Sequence, residues 1–184
     1  MGQYYEVVTP ASTEVLSLAD AKAFLRVEST ADDDLIEALI ASAIDSAELY
    51  TGRVFAPTTF LVSDSGACGA VRILRSPVTA INSVESWNGT AFVSLTGTLF
   101  YPSQIFPSIS LPDPIYPSDT SPFGVRAEFD AGYTVLPSAL LQGLKMHVNY
   151  MYENRGDVEA EGKVALPSAV KMLYRQYRII ATYG

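Results

Sequence analysis

The sequence predicts an α+β fold, mainly helical, with an N-terminal αα-hairpin, two C-terminal helices and a β-rich middle inserted between them. Three observations predict it. Apolar residues recur at helical spacing over 15–54, 137–155 and 166–181. Between 57 and 133 they give way to short β-branched and aromatic runs separated by turn residues. Gly and Pro punctuate the transitions: Gly52, Pro57, Pro137, Gly156 and Pro167. With 184 residues, 48% hydrophobic and 17% charged, the chain is expected to fold as one domain, 1–184, without staples.

The first helix is "LSLADAKAFLRV". Ser17 is an N-cap with Asp20 three residues on, and Leu18, Ala21, Phe24 and Leu25 form its apolar stripe. "ESTADDD" interrupts the pattern, and Asp32, Asp33 and Asp34 stand at the next helix start, where the macrodipole favours negative charge. Calcium loops need alternating oxygen donors and a distal Glu, a spacing this triplet lacks. The second helix runs from about Asp33 to Thr51 on Leu35, Ile36, Leu39, Ile40, Ala43, Ala47 and Tyr50, and Gly52 is its C′ stop. A short link between two such helices makes an αα-hairpin.

"TFLVSD", "AVRILRSP", "AINSVESW", "AFVSL" and "GVRAEFDAGY" read as strands. "WNGT" signals a hairpin, with Asn88 and Gly89 expected at the two φ > 0 positions of a type I′ turn and Trp87 packed on the sheet. Six of the eleven prolines fall between Pro102 and Pro122. Proline lacks a ladder donor, so 101–123 is expected to be a long connection with one edge strand around Ile109–Leu111. Its apolar side chains, Tyr101, Phe106, Tyr116 and Phe123 among them, suit a surface laid on a partner or on a neighbouring copy.

Pro137 opens a helix that is apolar on nearly all sides and therefore central; it ends at Asn154 and Arg155, with Gly156 near C′. That stop chemistry accounts for the Arg155-Gly156-Asp157 tripeptide, an integrin-type sequence in a chain with no other adhesive feature. A polar linker follows, then a helix opened by Pro167. Leu166, Val170, Leu173, Tyr177 and Ile180 make one stripe, and Lys171, Arg175 and Arg178 a separate ridge.

The net charge of -8 is unevenly spread. Residues 1–60 hold ten acids and three bases, whereas 166–184 hold three bases and no acid. An acidic body does not wrap nucleic acid, because phosphate neutralisation needs clustered Lys and Arg. It fits instead an assembly piece whose ends meet different partners. No phosphate loop, dinucleotide fingerprint or nucleophile elbow occurs. His147 is the single histidine and Cys68 the single cysteine, so no disulfide, no Cys or His metal cluster and no cofactor are expected. Cys68 has no basic neighbour in sequence to depress its pKa, and Glu159 and Glu161 belong to a surface run. Neither a secretory leader nor a membrane span is expected.

The ordered set "LSLADAKAFLRV", "ADDD", "LIEALIASAIDSAELYTGR", "FDAGYTVLPSALLQGLKMHVNYMYENRGD" and "LPSAVKMLYRQYR" resembles the head–tail connector (adaptor) proteins of long-tailed bacteriophages and gene transfer agents. The similarity is densest over 15–54 and 126–178; the proline-rich insert has no counterpart in it. The resemblance implies a structural protein without catalytic residues, assembled in the host cytoplasm and located in the virion. It implies a ring, dodecameric in the particle and monomeric before assembly, beneath the portal protein and above a stopper or tail-completion protein. DNA would pass through the ring without specific binding. In such a ring the C-terminal helix is expected to meet the portal or another partner, with Lys171, Arg175 and Arg178 supplying charge and Met172, Tyr174 and Ile179 packing. The alternatives are another virion assembly factor, such as a tail-completion or DNA-packaging-associated protein, and a small enzyme with its site in the β-rich middle.

Overall fold

The computed structural model describes residues 2–11, 14–65, 69–103, 106–115, 123–154 and 166–179. Cys68, Tyr116, the Arg155-Gly156-Asp157 tripeptide, Glu159, Glu161 and Ile180 lie outside the described residues. The chain divides into two compact units, one of 1–13 with 56–134 and one of 14–55 with 135–184.

The first unit is built of strands. β1 (Gln3–Thr9), β2 (Thr58–Asp64), β8 (Val125–Ala131), β4 (Val78–Trp87) and β5 (Phe92–Ser94) form a five-stranded sheet in the order β1-β2-β8-β4-β5, antiparallel throughout. β8 is central and alternates as a half-covered strand should: Val125, Ala127, Phe129 and Ala131 are buried and the residues between them are not. Phe60 opposes Phe129 in register, and their rings stack 5.8 Å apart. A second sheet, β3 (Ala70–Arg72), β7 (Ser108–Ser110) and β6 (Leu99–Tyr101), runs in the order β3-β7-β6. Val71 and Ile109 pair across it and are fully buried.

One element is added here and two expectations change. Residues 1–13 carried no element, yet β1 is a seven-residue edge strand. The strand expected at the edge around Ile109–Leu111 is β7, the middle strand of its sheet. The β4–β5 hairpin forms, but not through a type I′ turn. Trp87 pairs with Phe92, leaving four residues in the loop, and only Gly89 has positive φ (101°). The Asn88 side-chain oxygen instead accepts from the Thr90 and Ala91 amides at 2.9 Å each, an Asx-type closure. Trp87 packs edge-on against Phe92, 5.1 Å between ring centroids.

The second unit is helical: α1 (Leu18–Leu25), α2 (Asp33–Thr51), α3 (Ser138–Glu153) and α4 (Ser168–Arg175). Ser17 caps α1, its hydroxyl oxygen accepting from the Asp20 amide at 3.1 Å. α2 ends at Gly52 (φ 71°), whose amide donates to the Glu48 carbonyl. Asp32 provides no side-chain cap; its carboxylate accepts from the Tyr152 hydroxyl at 2.6 Å, tying the start of α2 to the end of α3. Asp33 pairs with Lys22 of α1. Ile36, Ile40, Ala43 and Ala47 of α2 and Leu140, Leu144 and Val148 of α3 form the core of the unit.

Candidate interface surfaces

α4 is shorter than the expected 166–181. Its pattern continues apolar to Tyr177, but the backbone leaves the helix after Arg175, and the Ile179 amide donates to the Thr51 carbonyl at 2.8 Å. Arg53 Nε donates to the Tyr177 carbonyl at 2.9 Å, so the segment after α4 is bonded onto the C-terminal end of α2. Ile179 is half-buried there, its Cβ 3.5 Å from where a Cβ on Gly52 would lie.

This geometry splits the six C-terminal candidates. Lys171, Met172 and Arg175 share the outward face of α4; Met172 is 71% exposed, and neither base has an ion-pair partner among the described residues. Arg178 lies past the helix end, and its guanidinium sits over the Tyr50 ring at 5.0 Å, so it does not continue the ridge. Tyr174 lies apart from them. It is fully buried among its own unit's helices, 6.3 Å from the Tyr50 ring and 6.4 Å from the His147 ring. Val170, one turn earlier on the same face, is buried with it. In this position the side chain packs within its own unit.

His147 is buried in α3, where desolvation lowers its pKa below the usual histidine value. Its Nδ1 and the Tyr174 hydroxyl have no hydrogen-bond partner among the described residues, and burial raises the tyrosine pKa. Two orphaned polar atoms on touching rings are a packing compromise; they lack the orienting hydrogen bonds of a catalytic pair.

Beside α1, a groove of about 300 Å³ is floored by Leu18, Ile40 and Ile44 with Val15 and rimmed by Glu14 and Glu37. Both carboxylates are exposed, and neither has a salt-bridge or hydrogen-bond partner among the described residues. Sequence reasoning missed this groove. Its signal was a glutamate two residues before Leu16, facing the second turn of the next helix, a juxtaposition only the fold creates.

In the β unit the aromatic candidates separate likewise. Tyr101, at the end of β6, is 54% exposed. Phe106 is half-buried beneath the Arg72 guanidinium at 5.4 Å, and Phe123 is half-buried beside Tyr4, 6.5 Å between rings. Exposed apolar residues also line β1 (Tyr4, Val7 and Val8), unforeseen from sequence. A pocket of about 400 Å³ in this unit is lined by Ile81, Asn82, Ser94, Leu95, Thr98 and Phe100 among others, with no ionisable side chain. Among the described residues no three potential metal ligands cluster, and no helix is long and apolar enough to cross a membrane.

Comparison with known proteins bears on these surfaces. Residues 15–92 match the family model described as phage gp6-like head-tail connector protein. No curated protein matches. Three solved structures share the fold across 98% of this chain. A chain of the neck of an empty gene transfer agent (GTA) particle, computed with C6 symmetry, aligns at TM-score 0.80 and 19% identity over 98% of that chain. A chain of the virion of a native GTA particle aligns at 0.76 and 20% over 97%, and one of a native GTA neck computed with C12 symmetry at 0.75 and 19% over 98%. At such identities the likeness is one of fold. The resemblance read in "LSLADAKAFLRV" and "LIEALIASAIDSAELYTGR" is therefore to the head–tail connector family over residues 15–92, on a chain whose whole fold is that of GTA neck subunits.

Proposed function

We propose that this chain is a structural, non-catalytic head–tail connector subunit of a phage or gene transfer agent virion. Twelve copies form a ring beneath the portal protein, join head to tail through a stopper or tail-completion protein, and continue the channel through which DNA passes. The observation that carries this reading is the fold, shared over 98% of the chain with neck subunits, one of them from a neck computed with C12 symmetry. The connector family match over 15–92 supports it independently. So does the acidity: twelve copies at -8 each carry -96, a charge that repels phosphates and lets DNA slide. The outward face of α4 (Lys171, Met172 and Arg175) is the partner-docking surface of the helical unit, and Tyr101 that of the β unit. The test is mass in solution by light scattering, alone and with the cognate portal. A ring, or a monomer that joins the portal in fixed ratio, is expected; a monomer that ignores the portal overturns the reading.

A further inference from the structure

Two surfaces of the helical unit are complementary and cannot meet within one chain. The first is the groove beside α1, apolar along Leu18, Ile40, Ala41 and Ile44 and rimmed by Glu14 and Glu37, which have no partner among the described residues. The second is the outward face of α4, where Met172 stands 71% exposed between Lys171 and Arg175, two bases without an ion-pair partner among the described residues. Met172 is flanked by Lys171 and lies three residues before Arg175, so apolar tip and charges point the same way. α4 itself contains no acid. It is fixed to the far end of α2: Tyr174 packs on Tyr50, and the Ile179 amide bonds Thr51. Tyr50 lies about 15 Å along the helix from Ile40, at 1.5 Å per residue.

We infer that α4 of one copy docks into the α1–α2 groove of the next copy, Met172 entering the apolar floor while Lys171 and Arg175 pair with Glu14 and Glu37. This rests on the connector reading and names the partner of the α4 face. Methionine is an unbranched, adaptable filler of such grooves, and the flanking charges set register and exclude wrong partners. Because groove and helix are different patches, the contact is heterologous and propagates head to tail until the rotation closes a ring. A basic, apolar helix of the portal is the other occupant the chemistry admits, and the experiment separates the two.

The chain carrying Ala41→Cys and Met172→Cys, with Cys68→Ser, is expressed where the particles are made. Particles are purified, oxidised and run without reductant. Both engineered positions are exposed, so folding is undisturbed, and a thermal midpoint matching the parent's checks it. A ladder of linked copies extending well beyond the dimer, absent from either single-cysteine chain, is expected. The chain present in particles but unlinked, or linked only as dimers, overturns the inference and leaves the connector reading standing. A folded chain absent from particles overturns both. In a second arm, Lys171→Glu with Arg175→Glu should cut the ladder about tenfold, and adding Glu14→Lys with Glu37→Lys should restore most of it. A ridge-reversed chain that still gives the full ladder but no longer holds the portal assigns the ridge to the portal and overturns the inference.

Discussion

Gly143 sits where a Cβ would lie 2.5 Å from Tyr174 Cε1, so α4 approaches α3 only because that position has no side chain. The tyrosine ring is fully buried and cannot swing aside. Gly143→Ala therefore overpacks the contact by about 1–3 kcal/mol, against a helix-propensity gain of about 1 kcal/mol. Urea titration should show a lower midpoint. Tyr174→Phe separates a core role from a docking role. It removes a buried hydroxyl that has no hydrogen-bond partner among the described residues, so stability should hold or rise by about 1 kcal/mol, with portal docking unchanged. A loss of docking without loss of stability would return Tyr174 to the interface. His147, orphaned on the same ring contact, makes the unit sensitive to acid. Its folded pKa is depressed by burial, so the unfolded chain binds the proton more readily. Its contribution is fully present above the unfolded value of about 6.5 and is lost as pH falls from there through the lowered folded value. Midpoints measured between pH 8 and pH 5 should drop in the parent and drop less in His147→Gln; equal slopes would show that other groups govern the acid limb.

At the scale of elements, what local physics specified was visible in the sequence and what distant contacts specified was not. Ser17 and Gly52 mark their helix ends because capping is a property of a few adjacent residues. The end of α4 is set by a backbone bond to Thr51 and a side-chain bond from Arg53, more than a hundred residues away, so the apolar spacing out to Ile180 overran it and carried Arg178 onto a ridge it does not join. Tyr174 was half legible: its i+4 relation to Val170 already places both on one face, and only the burial of that face decides the role. β7 was seen as a strand, but its middle position depends on β3 and β6, one of them some forty residues earlier. The 101–123 stretch is therefore more than a docking loop. Ile109→Ala should cost about 2–5 kcal/mol as measured by chemical denaturation, and deleting 103–121 should unfold the small sheet by removing its middle strand. A deletion variant that keeps the parent's far-ultraviolet spectrum and midpoint would show the small sheet to be dispensable.

Over the whole molecule, charge distinguishes a conduit from a binder. DNA-binding surfaces concentrate Lys and Arg so that counterions released from the phosphates drive association. Here the chain is -8 overall, and the two exposed helical bases among the described residues, Lys171 and Arg175, are too few to offset an acidic hairpin containing Asp33, Asp34, Glu37 and Asp45. In a ring the repulsion accumulates with every copy while each local field stays screened beyond about 8 Å at physiological salt. In the proposed ring, a duplex would be held off the wall without being excluded from the bore. Purified chain, alone or as a ring, should therefore fail to retard duplex DNA in a gel or to change its anisotropy, even at about 50 mM salt where phosphate contacts are strongest. Retardation that weakens steeply as salt rises would mean that a basic face assembles in the ring, and the frictionless channel would give way to a gripping one.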